Sequence, residues 1–119
     1  MNKYQDLKIW QKSMILTEEV YKLSKVLPKD EKFGLISQIK RCSVSIPSNI
    51  AEGAGRNSKK EFLHFLSIAH GSLMELETQL QLLYRLDLVK IDIINSLLEI
   101  CNEVRKMNYS LQKSLKINM

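Results

Sequence analysis

The chain has 119 residues, of which 45% are hydrophobic and 26% are charged, and its formal net charge is +5. This balance is typical of one folded domain and excludes a disordered chain. No apolar run approaches the ~18 residues of a membrane span, and no signal peptide is recognisable at the start, so we expect a cytoplasmic protein. Cys42 and Cys101 lie far apart without a CxxC motif, which argues against a disulfide framework or a zinc site.

Two helices are predicted in the first half of the chain. Apolar residues recur every three or four positions, which predicts helix one over residues 6–27 and helix two over residues 30–54. Asp6 and Asp30 are plausible N-caps for these helices. Pro47 lies inside helix two and cannot donate to the carbonyl oxygen four residues earlier, so we expect a bend there.

Two longer helices are predicted in the second half, over residues 58–86 and 92–116. Ser58 and Glu61 form the pattern of a capping box at the start of helix three. Asp87, just after that helix, can adopt the left-handed conformation that a helix end often requires.

The four predicted helices are joined by short connections, and no linker divides the chain into domains. Gly53 and Gly55 are interpreted as the stop of helix two. We therefore predict one all-α domain over residues 1–119, folded as an antiparallel up-down-up-down four-helix bundle.

Three segments resemble a known protein family: Leu7–Lys12 (LKIWQK), Ser45–Arg56 (SIPSNIAEGAGR) and Gly71–Leu80 (GSLMELETQL). The family is called four-helix bundle proteins or 23S rRNA intervening-sequence proteins. The resemblance implies an up-down bundle that assembles as a homopentameric ring. The chain is also similar to the accessory protein of diversity-generating retroelements, a basic ring that binds nucleic acid and a reverse transcriptase. The family name records genes found inside rRNA insertions and establishes no biochemical activity.

Charge is predicted to be unevenly distributed along the bundle. In an up-down arrangement both chain termini and the loop between helices two and three lie at one end. The half of the predicted bundle at that end, with Lys40 and Arg41 near the middle counted in it, carries twelve basic and four acidic residues, and the other half of the bundle carries six basic and nine acidic residues. This basic pole should attract a polyanion. The residues expected to contact phosphate are Arg56, Lys59, Lys60, Lys113 and Lys116.

The predicted binding is directed at the phosphate backbone, salt-sensitive and largely independent of sequence. Base stacking is not expected, because the aromatic residues considered are assigned to core faces: Trp10, Phe62, Phe65 and Tyr84. The alternative interpretation of the charge is a solvated surface that only keeps the protein soluble.

A polar stripe lies beside the apolar face of helix two and consists of Gln38, Arg41, Ser45, Asn49, Glu52 and Arg56. It is either a recognition groove or a structural feature that closes the bend at Pro47 and supports subunit assembly. We favour the structural role, with Ser45 and Asn49 bonding backbone groups freed by the bend. A lateral band of apolar residues outside the core faces also favours assembly: Ile9, Ile15, Ile68, Leu82, Leu86, Ile91 and Ile93.

No catalytic residues, metal site or cofactor are predicted. Glu61 and His64 match half of the Glu-x-x-His signature of di-iron bundles, but the second motif that such a site needs is absent from the sequence. We predict a non-catalytic, oligomeric nucleic-acid-binding or accessory protein whose partners are copies of itself, RNA or DNA, and a reverse transcriptase or other protein. The alternative is a protein-interaction scaffold with no nucleic-acid role.

Overall fold

The computed structural model describes residues 3–31 and 34–117. Within them the main elements are four helices: α1 (Lys8–Ser24), α2 (Leu35–Ala54), α3 (Lys59–Arg85) and α4 (Ile91–Ile117). Two short 3-10 turns, Tyr4–Asp6 and Lys29–Glu31, precede α1 and α2. These residues contain no strand, so this part of the chain is all-α.

Each helix packs against two others, in the cyclic order α1, α2, α3, α4 and back to α1. The resulting body is elongated, with dimensions of 47 × 22 × 20 Å. Its interior is a single cluster of aliphatic side chains contributed by all four helices. Fully buried members include Leu16, Ile39, Ile46, Ile50, Leu66, Leu73, Leu76, Leu80, Leu83 and Ile94.

The first two helices begin later than predicted, and α1 ends at Ser24, before the predicted end at residue 27. Asp6 does not cap α1; it lies in a 3-10 turn, where its amide donates to the carbonyl oxygen of Lys3 at 3.0 Å, and Leu7 occupies the N-cap position. Asp30 likewise lies in a 3-10 turn, and α2 begins only at Leu35. Aspartate favours tight turns as well as helix caps, so its presence alone does not distinguish them.

The ends of α3 follow the local chemistry of the sequence. The Ser58 hydroxyl accepts a hydrogen bond from the amide of Glu61 at 3.1 Å, which is the first half of the predicted capping box. Asp87 has φ 60°, as expected for the left-handed residue after a helix. The amide of Leu88 donates to the carbonyl oxygen of Leu83 at 2.9 Å, which completes a Schellman-type end.

Pro47 lies within α2, and a residue from another helix satisfies the carbonyl group that it leaves unpaired. Pro47 has no amide hydrogen to donate to the carbonyl oxygen of Ser43. The Thr17 hydroxyl of α1 lies 2.8 Å from that oxygen and 3.0 Å from the Ser13 carbonyl oxygen of its own helix. The expectation that Ser45 and Asn49 would bond the freed group is therefore wrong.

Some apolar side chains face the opposite way from their predicted orientation. Ile9, assigned to the lateral band, is only 3% exposed and belongs to the core. Tyr84, assigned to a core face, is 44% exposed. Both residues lie on the flanks of their apolar stripes, where the position of the neighbouring helix decides which side is covered.

Candidate nucleic-acid interface

A groove of about 1070 Å³ lies between α3 and the second half of α4. Ser67 and His70 line it from α3. The α4 side carries four basic residues, namely Arg105, Lys106, Lys113 and Lys116. Lys106, Lys113 and Lys116 are separated by seven and then three positions, so helical periodicity places them on one side of α4.

Some basic residues at the predicted basic pole form ion pairs with acidic residues, and others do not. Arg105 approaches the carboxylate of Glu77 at 3.3 Å, and Lys12 of α1 approaches that of Glu103 at 2.6 Å. Among residues 3–31 and 34–117, the exposed lysines of α4 form no ion pair: Lys106, Lys113 and Lys116. The charge of these three ammonium groups is therefore available to an external anion.

A buried amide fixes α4 against α3 beneath these lysines. Asn108 is 2% exposed, and its Nδ2 donates to the carbonyl oxygen of Leu66 at 3.0 Å. Its Oδ1 accepts from Nε2 of Gln112 at 2.5 Å. Both sides of the Asn108 amide are thus hydrogen-bonded, which locates the floor of the groove and explains a polar residue on the inward face of α4.

The five residues predicted to contact phosphate fall into three groups. Lys113 and Lys116 line the groove. Lys59 and Lys60 are exposed in the first turn of α3, outside the groove lining. Arg56 is engaged within the molecule: its Nη2 lies 2.7 Å from Oε2 of Glu52, and its guanidinium lies 4.9 Å from the Phe65 ring centroid.

Sequence reasoning did not select two further residues of the groove, Lys106 and Tyr109. Tyr109 is 69% exposed and lines the groove. The signal was present in the sequence, because Lys106 precedes Tyr109 by three positions and Lys113 follows it by four. That spacing places one lysine a helical turn before the ring and one a turn after it.

The polar stripe of α2 mostly faces α3. Ser45 Oγ lies 2.7 Å from Ser72 Oγ, and Nδ2 of Asn49 donates to both the carbonyl oxygen and Oγ of Ser45, at 2.8 and 3.0 Å. Glu52 pairs with Arg56, which follows the end of α2. Arg41 is exposed and forms no ion pair within the described ranges.

The same α2–α3 contact continues toward the start of α2. Nε2 of Gln79 donates to Oε1 of Gln38 at 3.3 Å, whereas Oε1 of the buried Gln79 has no hydrogen-bond partner among the described residues. Cys42 Sγ lies 3.8 Å from Oε2 of Glu75. These contacts make the stripe the polar margin of an intramolecular helix–helix interface.

Both cysteines are free thiols with suppressed ionisation. Burial raises the pKa of Cys101 to about 12, and burial also raises the pKa of Cys42. Across residues 3–31 and 34–117, no three histidine, cysteine, aspartate or glutamate side chains lie close enough together to hold a metal ion. In the same ranges, no helix has the length and apolar character needed to cross a membrane.

Comparison with known proteins places this chain, whose described residues form four main helices, in a family. The family model described as 23S rRNA-intervening sequence protein matches residues 5–110. The chain belongs to this family, as its sequence segments predicted. A solved structure from Bacteroides thetaiotaomicron, described as a protein of unknown function from the S23 ribosomal protein family, is similar with a TM-score of 0.82. The two are 29% identical, over 88% of this chain and 98% of the other. No curated protein matches the sequence.

Proposed function

We propose that the protein is a non-catalytic, oligomeric nucleic-acid-binding protein that holds the phosphate backbone at its basic pole. The observation that carries the proposal is a group of exposed lysines along the α3–α4 groove that form no ion pair with the rest of the described chain: Lys106, Lys113 and Lys116. Ammonium groups release the counterions condensed on a phosphate backbone, which favours binding of any nucleic-acid sequence.

An antiparallel up-down-up-down arrangement extends this patch to the start of α3. Asn108 meets Leu66, and as many residues separate Asn108 from Ile117 as separate Asn57 from Leu66. Because each helical residue advances the chain by about 1.5 Å, antiparallel α3 and α4 would bring Lys59 and Lys60 to the level of the last turn of α4. The pairing of Gln79 with Gln38 and of Ser72 with Ser45 supports the same opposite direction for α2 and α3.

The test is fluorescence anisotropy of labelled RNA and DNA titrated with the protein at several salt concentrations. The variant changes Lys59, Lys60, Lys113 and Lys116 to alanine. We expect wild-type affinity to fall steeply with salt. In the variant, the slope of log affinity against log salt should shrink by about three, since each lost phosphate contact contributes about 0.7 for a single strand.

A matched control removes the same charge from the other half of the molecule. Its substitutions, also to alanine, are at Lys22, Lys25, Lys29 and Lys90, which are exposed at the ends of α1 and α4 or in the adjoining loops. The control should bind almost as well as wild type. Equal losses of affinity in both variants would show that binding depends on the net charge of the protein and not on the basic pole. Absence of wild-type binding at low salt would overturn the proposal.

We further propose that copies of the chain assemble, as the family resemblance implies for a homopentameric ring. A protein-interaction scaffold is the second candidate function, and a reverse transcriptase is one partner that the resemblance predicts. An apolar cluster supports the scaffold: Leu82, Leu86, Ile91 and Ile93 are exposed around the end of α3 and the start of α4. A scaffold would bind its partner with little salt dependence, because apolar contacts are not screened by ions.

A further inference from the structure

Tyr109 is the tyrosine among the described residues that line the α3–α4 groove, and it lies on the exposed side of α4. Several other aromatic rings of the described structure pack against an aromatic or cationic neighbour. Tyr4 packs edge-on against Trp10 at 5.2 Å between centroids, and the ammonium of Lys40 lies 5.0 Å from the Tyr21 ring centroid. Within residues 3–31 and 34–117, the Tyr109 ring has no such aromatic or cationic neighbour.

The surroundings of Tyr109 combine an open aromatic face with positive charge. Lys106 lies one helical turn before the ring and Lys113 one turn after it, and all three residues line the groove. Proteins that hold single-stranded nucleic acid use this combination, in which cations follow the backbone and aromatic rings stack on the bases. A duplex already stacks its bases internally, so it can offer phosphates to the lysines but no base face to the ring.

We propose that Tyr109 is a stacking platform for an unpaired base, and that the α3–α4 groove binds single-stranded nucleic acid in preference to duplex. This inference rests on the proposed function, since the lysines supply the backbone contacts, and it adds the substrate class. The shared chemistry is a phosphate backbone with a free base face, which RNA and DNA strands both present. The prediction that base stacking is absent was based on four other aromatic residues and did not take Tyr109 into account.

The test compares labelled oligothymidylate and oligouridylate with a DNA duplex of equal length, by anisotropy at low salt. Tyr109→Ala should weaken single-strand binding by about 5- to 150-fold, the usual effect of removing one stacked aromatic side chain. Its duplex affinity should stay at the wild-type value. Tyr109→Phe should keep single-strand binding, because the ring rather than the hydroxyl does the stacking.

Tyr84→Ala is the matched control, because Tyr84 is an exposed tyrosine outside the groove. It should bind every probe as wild type does. The variant in which Lys59, Lys60, Lys113 and Lys116 are changed to alanine separates the two proposals. It should lose affinity for the duplex and for the single strands together. If Tyr109→Ala binds single strands like wild type while the lysine variant does not, base stacking is overturned and backbone binding stands. If wild type binds no probe, both proposals are overturned.

Discussion

At the scale of single residues, the hydroxyl of Thr17 in α1 forms a hydrogen bond that stabilises α2. It donates to the carbonyl oxygen of Ser43, which receives no hydrogen bond from Pro47 because proline has no amide hydrogen. Ser43 is fully buried, so water cannot replace the missing donor. An unpaired buried carbonyl is costly, and the contact therefore lets a proline occupy the interior of α2 while joining α2 to α1.

Replacing Thr17 with valine tests this role, because valine preserves the shape of the side chain and removes its hydroxyl. We expect the free energy of unfolding, measured by urea denaturation, to fall by about 1–3 kcal/mol, the usual cost of leaving a buried polar group unpaired. Thr17→Ser should lose less, because it retains the donor.

Thr78→Val is the control for the substitution itself. The Thr78 hydroxyl donates to the Met74 carbonyl oxygen at 2.9 Å on the exposed side of α3, within the regular hydrogen-bonded ladder of that helix. Its removal should change stability by no more than about 0.5 kcal/mol. Equal effects of the two valine substitutions would show that the bond between α1 and α2 adds no stability.

The two cysteines should differ in their reactivity toward a disulfide reagent such as dithionitrobenzoate. Cys101 is fully buried and its pKa is raised to about 12, so the native protein should not react there. Cys42 is half-buried and should react slowly. Because only the thiolate attacks and burial raises the Cys42 pKa, its rate should continue to rise as the pH passes the ordinary thiol value of 9.0.

The check uses Cys42→Ala, which leaves Cys101 as the only thiol. This variant should release thionitrobenzoate only after denaturation. Reaction of the native variant at the rate of an unfolded peptide would show that the core around Cys101 opens readily.

At the scale of helices, Gly53 permits the close approach of α2 and α3. A Cβ atom at this position would lie 2.7 Å from Cβ of Phe65 and 3.0 Å from Cδ1 of Phe62. The predicted role as a helix stop is incomplete, because Gly53 is helical and α2 continues to Ala54. The missing side chain matters for packing between helices, and positive φ is not involved.

Gly53→Ala should therefore destabilise the protein, although alanine has the higher helix propensity. We expect a loss of about 1–3 kcal/mol, because the rigid Cβ of Phe65 must move in a packed interface. Thermal and urea denaturation followed by circular dichroism would measure the change.

Gly71→Ala is the opposite case in the middle of α3. Apart from the adjoining backbone of α3 itself, no atom of residues 3–31 and 34–117 lies within 4 Å of the Cβ that this substitution adds. Alanine should raise the free energy of unfolding by about 0.5–1 kcal/mol through helix propensity alone. If both variants shift stability in the same direction, packing at Gly53 is not the deciding factor.

How far the helices could be predicted depended on the kind of signal in each segment. The long periodic patterns of α3 and α4 located both helices within one residue of their ends. The starts of α1 and α2 were placed too early, because Asp6 and Asp30 serve 3-10 turns. The Thr17 contact was not predictable from local patterns, since it depends on how α1 is rotated against α2.

At the scale of the whole molecule, the candidate site was likewise predictable only where it depends on local sequence patterns, and not where it depends on packing between helices. Charge counting selected one end of the predicted bundle and, within it, Lys113 and Lys116, which line the groove. It did not take into account that Arg56 is paired with Glu52 four residues earlier, and it could not show the contact of Arg56 with the Phe65 ring, which depends on how α3 packs beside the end of α2. Tyr109 was missed because aromatic residues were considered only on predicted core faces.

The outer surface of α3 carries the last prediction, which concerns assembly. Ile68 and Leu82 are 38% and 40% exposed, and their separation of fourteen residues places them on one face of the helix. Apolar residues aligned along an exposed face are typical of a surface that another subunit covers. We expect light scattering after gel filtration to give an oligomeric mass for wild type, and a monomeric mass for Ile68→Glu combined with Leu82→Glu.

Circular dichroism should show that the double variant keeps its helices, because neither side chain belongs to the buried core. The control is Val26→Glu, which places the same charge on a side chain that is 76% exposed beyond the end of α1. It should retain the wild-type mass. A monomeric wild type, or an unchanged mass in the double variant, would show that this face of α3 does not hold subunits together. Binding by the lysines of α4 would then have to be explained within a single chain, without the added field of neighbouring copies.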